Sequence, residues 1–129
     1  MTSATAACEI MAYEQLDAGI AGASVFQDVP DDAPLPLIII GDMESTPFAS
    51  TDDPDRRITL TLVVVTEGDE RAPCCDLQDQ IETILAGQSF LVDGWNLHVS
   101  LESSDAALSD DGSGYVGTTI LTILAFRED

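Results

Sequence analysis

The stretch from Val25 to Val65, VFQDVPDDAPLPLIIIGDMESTPFASTDDPDRRITLTLVVV, constrains the fold more than any other part of the chain. Pro30, Pro34 and Pro36 exclude a helix ahead of the apolar run and favour an extended entry into it. Leu37 to Ile40 is a short, largely β-branched run closed by Gly41-Asp42. Being apolar at every position, it predicts a strand inside a sheet that is covered on both faces. Ile58 to Thr66 alternates instead: Ile58, Leu60, Leu62 and Val64 line one face, and Thr59, Thr61, Val63 and Val65 the other. Its half-apolar second face predicts a sheet partly covered by a helix or by a neighbouring subunit. Between the two strands, Met43 to Asp55 is polar and without period, which predicts a long loop of the kind that compact domains keep for a function. Met43 and Phe48 place two apolar side chains in it, either to tuck into the core or to fill a pocket on a neighbouring subunit.

The rest of the chain supplies the partners this sheet needs. Thr5 to Ala18 predicts a first helix, with Cys8, Ala12, Leu16 and Ile20 at four-residue steps and Gly19 and Gly22 ending it. Val25-Phe26 begins an extended segment. Pro73 to Ala86 predicts a second helix: proline suits its first turn, Asp76 and Asp79 suit its positive end, Leu77, Ile81, Ile84 and Leu85 form one apolar stripe, and Gly87 stops it. Ser89 to Val92 and Trp95 to Glu102 flank Asp93-Gly94, a hairpin signal. Ser103 to Gly114, SSDAALSDDGSG, reads as a flexible connection, and Tyr115 to Phe126 as the last strand. Helices grouped against a mostly antiparallel sheet define a two-layer α+β fold, and 129 residues suit one domain over the whole chain.

Charge narrows the partners. There are 24 acidic residues against four basic ones, all arginine (Arg56, Arg57, Arg71 and Arg127), for a net charge of −20. Phosphate contacts need several cations in one patch, so sequence-specific nucleic-acid binding is excluded. The acidity has two readings. A negative channel wall would let a DNA duplex slide past without sticking, whereas an aspartate-rich, lysine-free surface suits solubility in concentrated salt, where screening removes self-repulsion. Lysine is missing from every segment and not from one face, which favours the high-salt reading for most of the charge and leaves a lining role open for a subset. No apolar run approaches the length of a bilayer span, and the amino terminus lacks the basic flank of a secretory signal, so the expected place is inside a cell or an assembled particle.

No residue pattern predicts catalysis, a cofactor or a metal. Cys8, Cys74 and Cys75 lack the spacing of a zinc or redox site and read as small buried apolar side chains. His98, the only histidine, falls on the polar face of a strand without triad or zinc partners, and reads as a solvated or hydrogen-bonded residue. Asp52-Asp53-Pro54-Asp55 and Asp105 to Asp111 do not match a calcium loop and read as solvated acid. Gly112-Ser113-Gly114 lacks the lysine and spacing of a phosphate loop.

The order of elements is itself informative. The Pro-rich approach to LPLIIIGD, the loop, the charged start of the long strand at Asp55-Arg56-Arg57, a four-turn helix, a hairpin carrying Gly94 and a Gly/Asp-rich loop before the last strand together resemble the tail-terminator, or tail-completion, proteins of long-tailed phages and gene transfer agents. The resemblance runs from about Ile20 to Phe126. It implies a structural subunit without catalytic residues that forms a homo-oligomeric ring, a hexamer in this family, on the head-proximal end of the tail tube. The ring stops tube growth and offers the head its attachment surface. Implied partners are the tail tube protein and a head-completion or connector protein, with DNA passing through the channel unbound and no membrane involved; the place is the virion neck, assembled in the host cytoplasm. Interface candidates are Met43, Phe48, Asp52, Asp53, Asp55, Arg56 and Arg57. The alternatives are another neck or tube ring protein and, from a different class, a small acidic enzyme or ligand-binding domain.

Overall fold

A computed structural model describes residues 2–48 and 55–128. Two helices and six strands follow in the order α1 (Ala4–Gly19), β1 (Ser24–Phe26), β2 (Leu37–Pro47), β3 (Arg56–Glu67), α2 (Ala72–Leu85), β4 (Ser89–Val92), β5 (Trp95–Leu108) and β6 (Gly114–Arg127). The strands form one sheet in the order β1-β2-β3-β6-β5-β4. Only β1 and β2 run parallel; every other pair is antiparallel. The fold is α+β, with a mixed but mostly antiparallel sheet.

Burial follows the alternation in β3. Ile58, Leu60, Leu62 and Val64 are fully buried, as are Leu121, Ile123 and Ala125 on β6 and Leu97 on β5. Each of the leucine, isoleucine and valine side chains contributes about 1.5–3 kcal/mol on leaving water. Both helices cover this face. In α1 the buried residues are Ala4, Ala7, Cys8, Met11, Ala12 and Leu16, spaced as one helical stripe, and the Ser3 hydroxyl caps the first turn by accepting the Ala6 N–H at 3.1 Å. In α2, with Pro73 in the first turn, the buried face is Cys74, Leu77, Gln78, Ile81 and Leu85. Helix α1 touches β1 and β2 at one edge of the sheet and β4 and β5 at the other. One helix can reach both edges only if the sheet curls around it, so the face without helices is the convex one.

Three expectations need correction. The polar segment after Ile40 is not one loop from Met43 to Asp55, because β2 continues to Pro47 and pairs with β3 as far as Pro47 opposite Arg56. A register shift between Ile40 and Met43 hid this strand by breaking its period of two. Gly41 sits in that irregularity, where a Cβ would come within 2.9 Å of the Thr61 carbonyl oxygen, so the backbones approach too closely for a larger residue. Likewise Ser103 to Leu108 belongs to β5 and not to a flexible connection, again beyond a shift, between Leu101 and Ser103. Gln78 of α2 fastens this half of the strand by donating to the Asp105 carbonyl at 2.6 Å and to Thr119 Oγ1 at 3.3 Å. Finally, Cys8 and Cys74 are buried but Cys75 is exposed. Burial pushes the Cys8 thiol up to about 12 and raises that of Cys74, so neither offers a thiolate near neutral pH.

The turns obey local chemistry. Asp93 and Gly94 both take positive φ, 48° and 86°, as the hairpin between β4 and β5 requires. Asp111 Oδ1 accepts from the Ser113 hydroxyl at 2.7 Å, the Ser113 N–H at 3.0 Å and the Ser109 hydroxyl at 2.9 Å. These bonds, those from Ser113 first, lower its carboxyl to about 2. This acid of the 105–111 run therefore builds the turn between β5 and β6.

Candidate interaction surface

Phe48, Asp55, Arg56 and Arg57 gather at the end of the sheet where β2 hands over to β3. The Phe48 N–H donates to the Asp55 carbonyl at 3.1 Å, so the two strands remain paired up to the connecting residues. Phe48 itself neither joins the core nor stands alone. Its ring, 40% exposed, lies on the convex side of the sheet with its centroid 5.4 Å from that of Phe126 on β6. The Arg57 guanidinium sits 5.8 Å from the Phe48 centroid, within range of a cation–π attraction. On the other side of Phe126 the His98 ring approaches edge-on at 5.5 Å, and His98 Nδ1 lies 2.7 Å from the Ser89 hydroxyl. Arg57 on β3, Phe48 just past the end of β2, Phe126 on β6 and His98 on β5 thus form a continuous row.

The remaining candidates divide. Met43 faces the core and packs partly buried against it. Asp55 accepts the Arg127 N–H at 2.9 Å and fixes the end of β6 to the start of β3. Arg56 and Arg57 are neighbours on one strand and so point to opposite faces, which rules out a single basic patch. Asp52 and Asp53 lie outside the described residues. His98 is an exposed strand residue with a hydroxyl partner. Among the described residues no group of three or more His, Cys, Asp or Glu side chains is placed to hold a metal, and no helix is long and apolar enough to cross a membrane. Sequence reasoning missed Phe126, whose partner Phe48 is distant along the chain; the only available signal was an aromatic on the polar-or-apolar second face of the last strand.

The distribution of charge on this face is unusual for such an acidic chain. Outward positions of β3 from Arg57 to Val65, and of β6 from Val116 to Phe126, carry no aspartate or glutamate and are half-buried apart from exposed Arg57. Strand preference alone does not explain this, since Glu44 stands opposite Thr59 and Asp105 opposite Thr118 in the same sheet. The acids are therefore concentrated on the helices, turns and flanks, where 24 acidic residues against four arginines repel one another. Lowering salt from molar to millimolar lengthens the screening distance about tenfold or more and exposes that repulsion. The melting temperature should accordingly fall as salt is removed. Thermal melts across a salt series check this, and an unchanged or higher value at low salt would contradict it.

The fold is shared with other solved structures. It matches a chain from the virion of a native gene transfer agent particle with a TM-score of 0.81 at 13% identity, covering 97% of this chain and 98% of that one. It also matches the gp17 protein of bacteriophage SPP1 with a TM-score of 0.64 at 21% identity, over 95% and 91% of the two chains. A search among curated proteins found no match. The model of the family described as Tail completion protein gp17 matches residues 9–124, and the chain belongs to that family. It is a structural component of the virion tail and not an enzyme.

Proposed function

We propose that the chain acts as a tail terminator: a single-domain subunit of a ring, a hexamer on the family resemblance, that sits on the head-proximal end of the tail tube, stops its growth and receives the filled head. The observation that carries this reading is the family match over residues 9–124, together with the order of elements that resembles terminators in particular. The partners are further copies of the chain, the tube protein below and a head-completion or connector protein above, and DNA crosses the channel without specific contacts. A convex sheet face that neither helix covers, with an exposed phenylalanine and arginine, supports assembly, since surfaces of this composition anchor protein contacts. Subunit or neck contacts fall to Phe48, Arg57 and the connecting residues 49–54, which include Asp52 and Asp53, while Asp55, Arg56 and Met43 hold that corner in shape. The net charge of −20 suits work in concentrated salt.

Native mass spectrometry at molar concentrations of a volatile salt, together with imaging of assembled particle necks, tests the ring. Closed rings of one fixed size are expected. Monomers in solution combined with no ring of this chain at the neck would refute the reading.

A further inference from the structure

We propose that the arginine–aromatic row on the convex sheet face docks onto the helical layer of a second copy of this chain, with Arg57 meeting Asp79 and Phe48 entering the cleft where α1 ends beside α2. The proposal rests on the ring reading above and names the contact that would build the ring.

Charge selects the partner surface. The free face of the two central strands carries Arg57 and no acid, whereas α1 and α2 carry Glu9, Glu14, Asp17, Asp76, Asp79 and Glu82 and no base. Glu44 and Asp105 lie on the flanking strands of the sheet face, opposite Thr59 and Thr118, so the argument concerns its centre. Centred on β3 and β6, two sheets would stack arginine on arginine and two helical layers acid on acid, whereas sheet against helices sets Arg57 among carboxylates.

Shape selects the point of contact. An open cleft of about 170 Å³ lies between Gly19 at the end of α1 and Asp79, Gln80, Thr83 and Ile84 of α2. That volume suits a phenyl ring, since a cavity of about 150 Å³ in a protein interior accepts benzene. Gly19 and Ile84 form its apolar floor: a Cβ on residue 19 would come within 2.8 Å of Ile84 Cδ1, so glycine at this position leaves the space open. Asp79 is exposed at the rim, and Phe48 is the exposed ring that carries a guanidinium beside it.

Topology then sets the outcome. The contact uses two different surfaces on opposite sides of one chain, so each copy retains a free sheet face and a free helical face after binding. Such a head-to-tail contact propagates, and closes into a ring when the rotation allows; a twofold contact would stop at a dimer.

Sedimentation of the purified chain at molar salt, over micromolar to millimolar concentrations, tests the contact, with circular dichroism to check that each variant is folded. Arg57→Glu and Asp79→Arg should each weaken self-association about tenfold or more. The double variant R57E/D79R should recover most of that loss, which a merely structural effect at either site would not do. Thr83→Trp, which fills the cleft from its exposed rim, should weaken association as Phe48→Ala does. Folded single variants that associate like the natural chain, or a double variant no better than the singles, would overturn the contact. So would a natural chain that stays monomeric throughout, or necks in which this sheet face meets the tube protein; rings of this chain in those necks would still uphold the terminator reading.

Discussion

Particles assembled without this chain are expected to yield heads and tubes separately, with few joined virions and tails of uneven length. A terminator ring binds the growing end of the tube and converts it to a surface to which no further tube subunit adds. Without it the tube keeps its open, self-complementary end, so elongation continues until subunits run out, and the head finds no docking surface. The effect should be all but complete, because both consequences come from one missing layer. Electron microscopy of lysates from a deletion strain, counting joined particles and measuring tail lengths, checks it. Joined particles at normal frequency with tails of uniform length would remove the chain from this role.

The largest effect on the fold is expected at Gly114. It opens β6 opposite Glu67, where β3 ends, and a Cβ there would lie 1.9 Å from the Thr66 carbonyl oxygen and 2.7 Å from Glu67 Cα. Those are backbone atoms of the central strand pair, so no side-chain rotation relieves the overlap. Gly114→Ala must spread β3 from β6 or twist the end of β6 away, at about 3 kcal/mol, the upper end of ordinary overpacking. For a chain of this size that lowers the melting temperature by roughly 10 °C. By contrast, Ser103→Ala, on an exposed edge of the same sheet, should leave it nearly unchanged. A Gly114→Ala protein that melts with the natural chain would show that this end of the sheet yields more easily than its packing implies.

Much of the scaffold was legible because it obeys simple periods. The alternation from Ile58 to Val64 located β3 and its buried face, the Asp93-Gly94 pair located the hairpin, and both helices were placed to within one residue of Ala4–Gly19 and Ala72–Leu85. What escaped were the outer halves of β2 and β5. Each follows a register shift, at Ile40/Met43 and at Leu101/Ser103, and the residues beyond it are mostly exposed and hold no alternating run of apolar side chains, so neither period nor hydrophobicity marks them as strand. Their conformation is dictated by partners on other strands, Arg56 to Leu60 for one and Tyr115 to Ile120 for the other. Phe48 illustrates the same limit at the candidate site. Its unusual place in a polar segment was visible, but its stacking on Phe126 depends on β3 and β6 pairing in full register. Cys75 was misjudged for a different reason: adjacent cysteines on a helix lie about 100° apart, so burying Cys74 turns its neighbour outward.

The correction to β2 also sharpens where contacts with neighbours should be sought. With Met43 to Pro47 paired in the sheet, that part of the stretch is no longer a candidate loop, and among the described residues the search narrows to Phe48 and its neighbour Arg57. Cryo-electron microscopy of the neck of intact particles, at a resolution that traces this chain, tests the central claim most directly. The account predicts one closed ring of this chain between the last tube layer and the head connector, six copies around, and no copy elsewhere in the tail. Finding the chain spread along the tube, at the far tip, or absent from the neck would contradict it.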